Sequence, residues 1–134
     1  MRKLGPLLAR LIRGSATNDS AAAGMLGEII EATLASGSAV SLTTTVAADV
    51  TSISLTAGDW DVWGNMGFVV GGTTVFTQLR GAIVTTSGNV GSAPADGAFF
   101  KTNEATGFAG VYPVGQRRIS VASTTMIYLV AECV

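Results

Sequence analysis

Asp59 and Asp61 flank Trp60 in the run Ala57-Gly58-Asp59-Trp60-Asp61-Val62-Trp63, and they are the residues best spaced for chemistry. Two carboxylates two positions apart on a strand share one face, where they could serve as an acid–base pair or contribute oxygens to a calcium site. Trp63 on that same face could stack on a sugar ring. A lone pair with no further oxygen ligands close in sequence reads more simply as solvated carboxylates at a turn. Asp49, Asp96 and Glu104 would have to be brought to it by folding. The chain has no histidine, and its one cysteine is Cys133, so no thiol–imidazole or hydroxyl–imidazole pair can be assembled. Gly71-Gly72-Thr73-Thr74 lacks the lysine and the following helix of a phosphate loop and reads as a hairpin turn. Arg117 and Arg118 are two bases on an acidic body, too few for a nucleic-acid footprint. The expectation is a protein that is not an enzyme, with no cofactor, no metal and no small-molecule substrate, and with neither nucleic acid nor membrane as partner.

The elements around those residues are strands. Ile53 and Leu55 alternate with Ser54 and Thr56, and Ala57-Gly58-Asp59 breaks the run. A second alternation then sets Trp60, Val62, Gly64, Met66 and Phe68 on one face and Asp59, Asp61, Trp63, Asn65 and Gly67 on the other. Period two with β-branched and aromatic residues predicts strand, turn, strand, opening as a hairpin. The two tryptophans of the chain point to opposite faces, so one side of this strand packs on a core and the other on something else.

Charge points the same way. Only 13% of the 134 residues are charged, against about 25% in typical domains, so surface is expected to be covered by neighbours. Arg2, Lys3, Arg10 and Arg13 give +4 with no acid before residue 14, whereas four bases and nine acids give the remainder −5. Leu7, Leu8, Leu11 and Ile12 gather on one side of an amphipathic turn that starts near Pro6 and is too short to be stable alone. Arg10 and Arg13 interrupt the apolar run of a secretory signal, and no run reaches the length of a membrane span. A single thiol forms no internal disulfide, which fits assembly in a reducing cytoplasm. Residues 1–25 are therefore expected to be a docking arm and linker, its contacts made by Arg2, Lys3, Leu7, Leu8, Arg10, Leu11, Ile12 and Arg13. Residues 26–134 form the folded domain.

Along that domain, strands are expected over Leu26–Leu34, Val40–Val46, Val50–Leu55, Thr73–Thr86 with a bend at Gly81, Gln116–Val121 and Thr125–Cys133. Val75, Leu79 and Ile83 are the inward anchors of the fourth, and Ser87–Gly97 reads as a long surface loop. Phe99, Phe100, Phe108 and Tyr112 should close one end of the core or line an interface. Met126-Ile127-Tyr128-Leu129-Val130-Ala131 is apolar almost without interruption, as in a strand covered on both faces. About eight strands without a core helix predict an all-β, jelly-roll-type antiparallel sandwich. Trp60, Trp63, Phe99, Phe100, Phe108, Tyr112 and Tyr128 are the expected subunit-interface residues.

Four stretches carry a resemblance: Ala16-Thr-Asn-Asp-Ser-Ala-Ala-Ala-Gly24, Gly27-Glu28, Val50 to Val62, and Arg118 to Ala131. Together they resemble a group of small virion proteins of tailed bacteriophages. Leu55-Thr-Ala-Gly-Asp-Trp-Asp-Val62 is also similar, more distantly, to the strand-entering segment of trimeric jelly rolls of the tumour-necrosis-factor and complement-C1q type. The first resemblance implies a place on the outer surface of a virion, with the major capsid protein as partner and decoration of the shell as the role. The second implies a homotrimer with aromatic residues near its threefold axis. The short arm, lacking a collagen or coiled-coil stalk, and the close of the chain straight after its last strand depart from the stalked members. The alternative within the same resemblance is a tail-fibre or tail-tip module that binds a host receptor.

Overall fold

The structure is a computed structural model and describes residues 21–23, 27–74, 76–91, 99–102 and 107–134. Two compact units divide the chain at Glu31. In the first, residues 21–23 and 27–31 have no helix or strand, and Gly27 takes a φ of 95°. The arm residues Arg2 to Arg13 lie outside the described residues. The expected strand over Leu26–Leu34 does not form in its described part. Ile29, Ile30 and Leu34 stand among small and acidic residues without a period of two, so no one face of a strand would be apolar.

The second unit is all-β. After a single 3₁₀ turn at Ser36–Ser38 come β1 (Ala48–Leu55), β2 (Gly58–Val69), β3 (Leu79–Val84), β4 (Phe99–Thr102), β5 (Ala109–Val121) and β6 (Thr125–Cys133). Four of them form an antiparallel sheet in the order β1-β6-β3-β4, while β2 and β5 form a separate antiparallel ribbon. Six strands are described where about eight are expected. Val40–Val46 is not a strand, since only the isolated bridges Thr43–Val46 and Thr44–Cys133 form there. The Thr73–Thr86 run is a strand only over Leu79–Val84, and Gly81 is no bend: it sits in the ladder between Phe100 and Ala131. No described helix is long and apolar enough to cross a membrane.

The expected hairpin at Ala57-Gly58-Asp59 is a corner. β1 and β2 do not pair with each other. Leu55 faces Thr125 and Gly58 faces Val121, so one antiparallel ladder continues past Thr56–Ala57 on one side and Ala122–Thr124 on the other. Three steps on the first strand match four on the second, and the extra residue is what bends a ladder out of one sheet into the next. Gly58 has a φ of 150°, a backbone conformation open to glycine. The Trp60 indole N–H donates to the Thr56 carbonyl at 2.9 Å and ties the corner down.

The core lies between the ribbon and the sheet. Val62, Met66 and Phe68 of β2 and Val114 and Ile119 of β5 are buried on the ribbon's inner face; Leu55, Leu79, Ile83, Ile127 and Ala131 are buried in the sheet. A Cβ built at Gly64 would make ordinary van der Waals contact with Leu129 at 3.6 Å, which puts the ribbon directly against the sheet. The Arg117 guanidinium reaches from β5 to the Ile83 carbonyl at 3.1 Å. The opposite face of the sheet is covered around Val130, while the opposed pair Ser54 and Met126 stays exposed. Ala82, Val84, Val90 and the fully buried Val130 cluster there with Ala47 and Tyr128. Asp49 holds that cover in place by accepting from the Ser87 hydroxyl at 2.5 Å and the Gly88 N–H at 2.7 Å. Next to this patch Arg80 meets Glu132 directly across the ladder at 3.2 Å.

Candidate functional site

Among the described residues the most exposed large apolar side chains of the strands, Trp63, Val69 and Val111, lie on the outer face of the ribbon. Its residues follow from alternation along β2: Asp59, Asp61, Trp63, Asn65, Gly67 and Val69 all point outward. On β5 the partners are Ser120, Arg118, Pro113, Val111 and Ala109. Val62 faces Arg117 while Gly64 faces Val114, so β5 carries one extra residue in the Gly115–Gln116 stretch. That bulge lets Val114 and Ile119, five apart in sequence, both face inward. Trp63 stands over it.

The face has two halves. At one end Asp59 is bound by Arg118, Nη2 to Oδ2 at 2.9 Å, with Asp61 alongside. A hydrogen bond from Ser120 and then the Arg118 guanidinium hold the Asp59 carboxyl below its ordinary value. Both partners are exposed, so solvent screens the pair and it adds little to stability. The other half is apolar: Trp63 is 67% exposed, Val111 68% and Val69 90%, with Pro113 and Ala109 exposed between them. Three large side chains left in water on one small ribbon present on the order of 400 Å², comparable to the largest apolar patch of a typical monomer.

The expected interface residues fall in different places. Trp63 is on the open face. Trp60 is half-buried on the inner face opposite Ile119 and is engaged at the corner. Tyr112 stacks edge-on to Phe68 at 6.4 Å and lies 5.8 Å from Phe108, so these rings close the end of the core. Phe108 covers Gly110, where no side chain would fit beneath the ring. Tyr128 packs against the Val130 cluster. Phe99 and Phe100 pair through their backbones with Ala82 and Gly81. Val69 and Val111 were missed by the sequence reading. The first is the next outward position after Gly67, and the second became visible only once β5 was found to begin at Ala109.

Asp59 and Asp61 share a face as expected, but Asp59 is engaged by Arg118 and the pair forms no pocket with other acids. Asp49 is committed to the 87–88 turn, while Asp96 and Glu104 lie outside the described residues. Among the described residues no three histidine, cysteine or acidic side chains come together as a metal site. Cys133 is half-buried with its thiol free. No protein-family model, curated protein or solved structure matches the chain.

Proposed function

We propose that the protein is a structural component of a bacteriophage virion: a homotrimeric jelly-roll that decorates the capsid and stabilises the shell. In this reading residues 1–25 fasten each copy to the major capsid protein, and the outer ribbon face packs copy against copy. The self-association rests on one observation, the exposed Trp63–Val69–Val111 patch on the outer face of the ribbon. A standard interface buries about 800 Å² per partner, and these three side chains would supply about half of it. The assignment to a particle rests on the resemblance of residues 16–24, 27–28, 50–62 and 118–131 to small phage virion proteins.

Counting copies of the chain in purified particles tests the location. Hundreds per particle, on the outer shell, are expected; tens or fewer would replace decoration by the tail-module reading. Deleting residues 1–13 is expected to abolish attachment to the particle while the oligomer stays intact, and normal occupancy by the truncated protein would remove the arm as anchor. Trp63→Ser is expected to dissociate the oligomer in sedimentation velocity without loss of fold, and an unchanged oligomer would move the interface elsewhere.

A further inference from the structure

Residues 40–46 are patterned as a strand and left without a ladder. Val40, Leu42, Thr44 and Val46 alternate with Ser41, Thr43 and Thr45, and no charged residue occurs between Glu31 and Asp49. Such a run is well suited to a half-buried strand. Yet among the described residues the main-chain groups of Val40, Ser41 and Leu42 have no hydrogen-bond partner; the nearest backbone bonds are Ser38 to Ala35 and Ala39 to Ser36 on one side and Val46 to Thr43 on the other. β1 follows in sequence and, among the described residues, is an edge strand paired on one side only, with β6.

The turn between them explains why the two do not zip together. Val46 N–H donates to the Thr43 carbonyl at 3.0 Å, so Thr44 and Thr45 are the central residues of a tight turn. Only Thr45 has a positive φ, 63°. Two-residue hairpins that continue into a twisted ladder use turns with a positive φ at the first central residue, supplied by Asn or Gly; a turn positive only at the second splays the strands apart. A β-branched residue at positive φ is strained besides. The pairing stops after one bridge, and among the described residues a strand-forming segment and a strand edge without a ladder partner occur in the same chain.

We infer that residues 39–42 of one copy add as an antiparallel strand to the β1 edge of a second copy. The register is the one that the Thr43–Val46 pair begins, with Ser41 opposite Ala48 and Leu42 opposite Ala47. Opposed residues of an antiparallel pair share a face, so Leu42 and Val40 join the face that carries Ala47 and Asp49. They thereby extend the apolar cluster of Val84, Val90 and Val130 that Ala47 already borders. The occupant is a second copy because the segment and the edge it fits belong to the same sequence, and exchange of an element between identical chains reproduces the contacts its own turn prevents. The inference draws on the self-association proposed above and not on the capsid.

Ser41→Cys with Ala48→Cys in a Cys133→Ser background tests it, since opposed strand positions lie within disulfide reach. Mild oxidation is expected to give covalently linked chains on a non-reducing gel. A disulfide confined to single chains, or none, would overturn strand exchange. Thr44→Asn with Thr45→Gly allows the turn to close on its own β1 and is expected to weaken self-association at least tenfold in sedimentation equilibrium; unchanged association would also overturn it. A wild-type protein that is monomeric at every concentration would end both this inference and the trimer. An oligomer whose engineered cysteines never link between chains would end this inference alone.

Discussion

The four-stranded sheet and the two-stranded ribbon are built from one bent ladder, yet they meet water differently. β6 is flanked by β1 and β3 and has buried residues on both faces, Ile127 and Ala131 toward the ribbon and Val130 toward the 85–91 turn. β2 and β5 are covered on the inner face alone, and their outer face exposes a tryptophan and two valines. The sheet therefore buries apolar side chains on two faces, whereas the ribbon buries one face and leaves apolar surface in water on the other.

Substitutions on the two sides should separate cleanly. The largest effect is expected in the sheet: Ile127→Ala leaves a cavity between layers and should cost about 2–5 kcal/mol in chemical denaturation. A loss below 1 kcal/mol would show that β6 is not the centre of the core. Trp60→Phe keeps the ring at the corner but removes its hydrogen bond to Thr56, so a loss of about 0.5–1.5 kcal/mol is expected. On the outer face, Trp63→Ser should change the stability of the isolated domain by no more than about 0.5 kcal/mol. A large loss there would mean that Trp63 serves the fold and would erase the contrast.

The smallest effect concerns pH. The carboxyl of Asp59 is lowered in the folded protein, so its contribution is complete above the ordinary value of 3.8 and fades as pH falls through the folded value. Asp59→Asn should therefore lower stability slightly at neutrality, where the ion pair is complete, and the difference from the wild type should vanish as pH falls through the folded value. A difference of the same size in strong acid, where the carboxyl is protonated, would assign Asp59 a role beyond its ion pair.

Much of this architecture is readable in the residues. The alternation from Trp60 to Phe68 placed Trp60 inward and Trp63 outward, as found, and the unbroken apolar run of β6 announced a strand covered on both faces. The bounds Thr125–Cys133 match the expected strand. Other features depend on partners distant in sequence. Ala57-Gly58-Asp59 has the composition of a hairpin turn, but β1 and β2 find β6 and β5 forty or more residues away, and only that pairing makes the site a corner. The first half of β5 was hidden by Pro113 and Gly115, residues that weaken a strand signal. Pro113 is tolerated because β5 pairs on one side only, and Gly115 lies where the bulge needs slack.

The sequence by itself determined strand class, the inward and outward faces of β2 and the sparse charge that leaves apolar surface without solvating cover, because each is a local matter of period and composition. Only the tertiary structure decided which strands pair, that the ladder bends between two layers, and that Val69 and Val111 join Trp63 on one open face. Those depend on long-range register, which no window of neighbouring residues encodes.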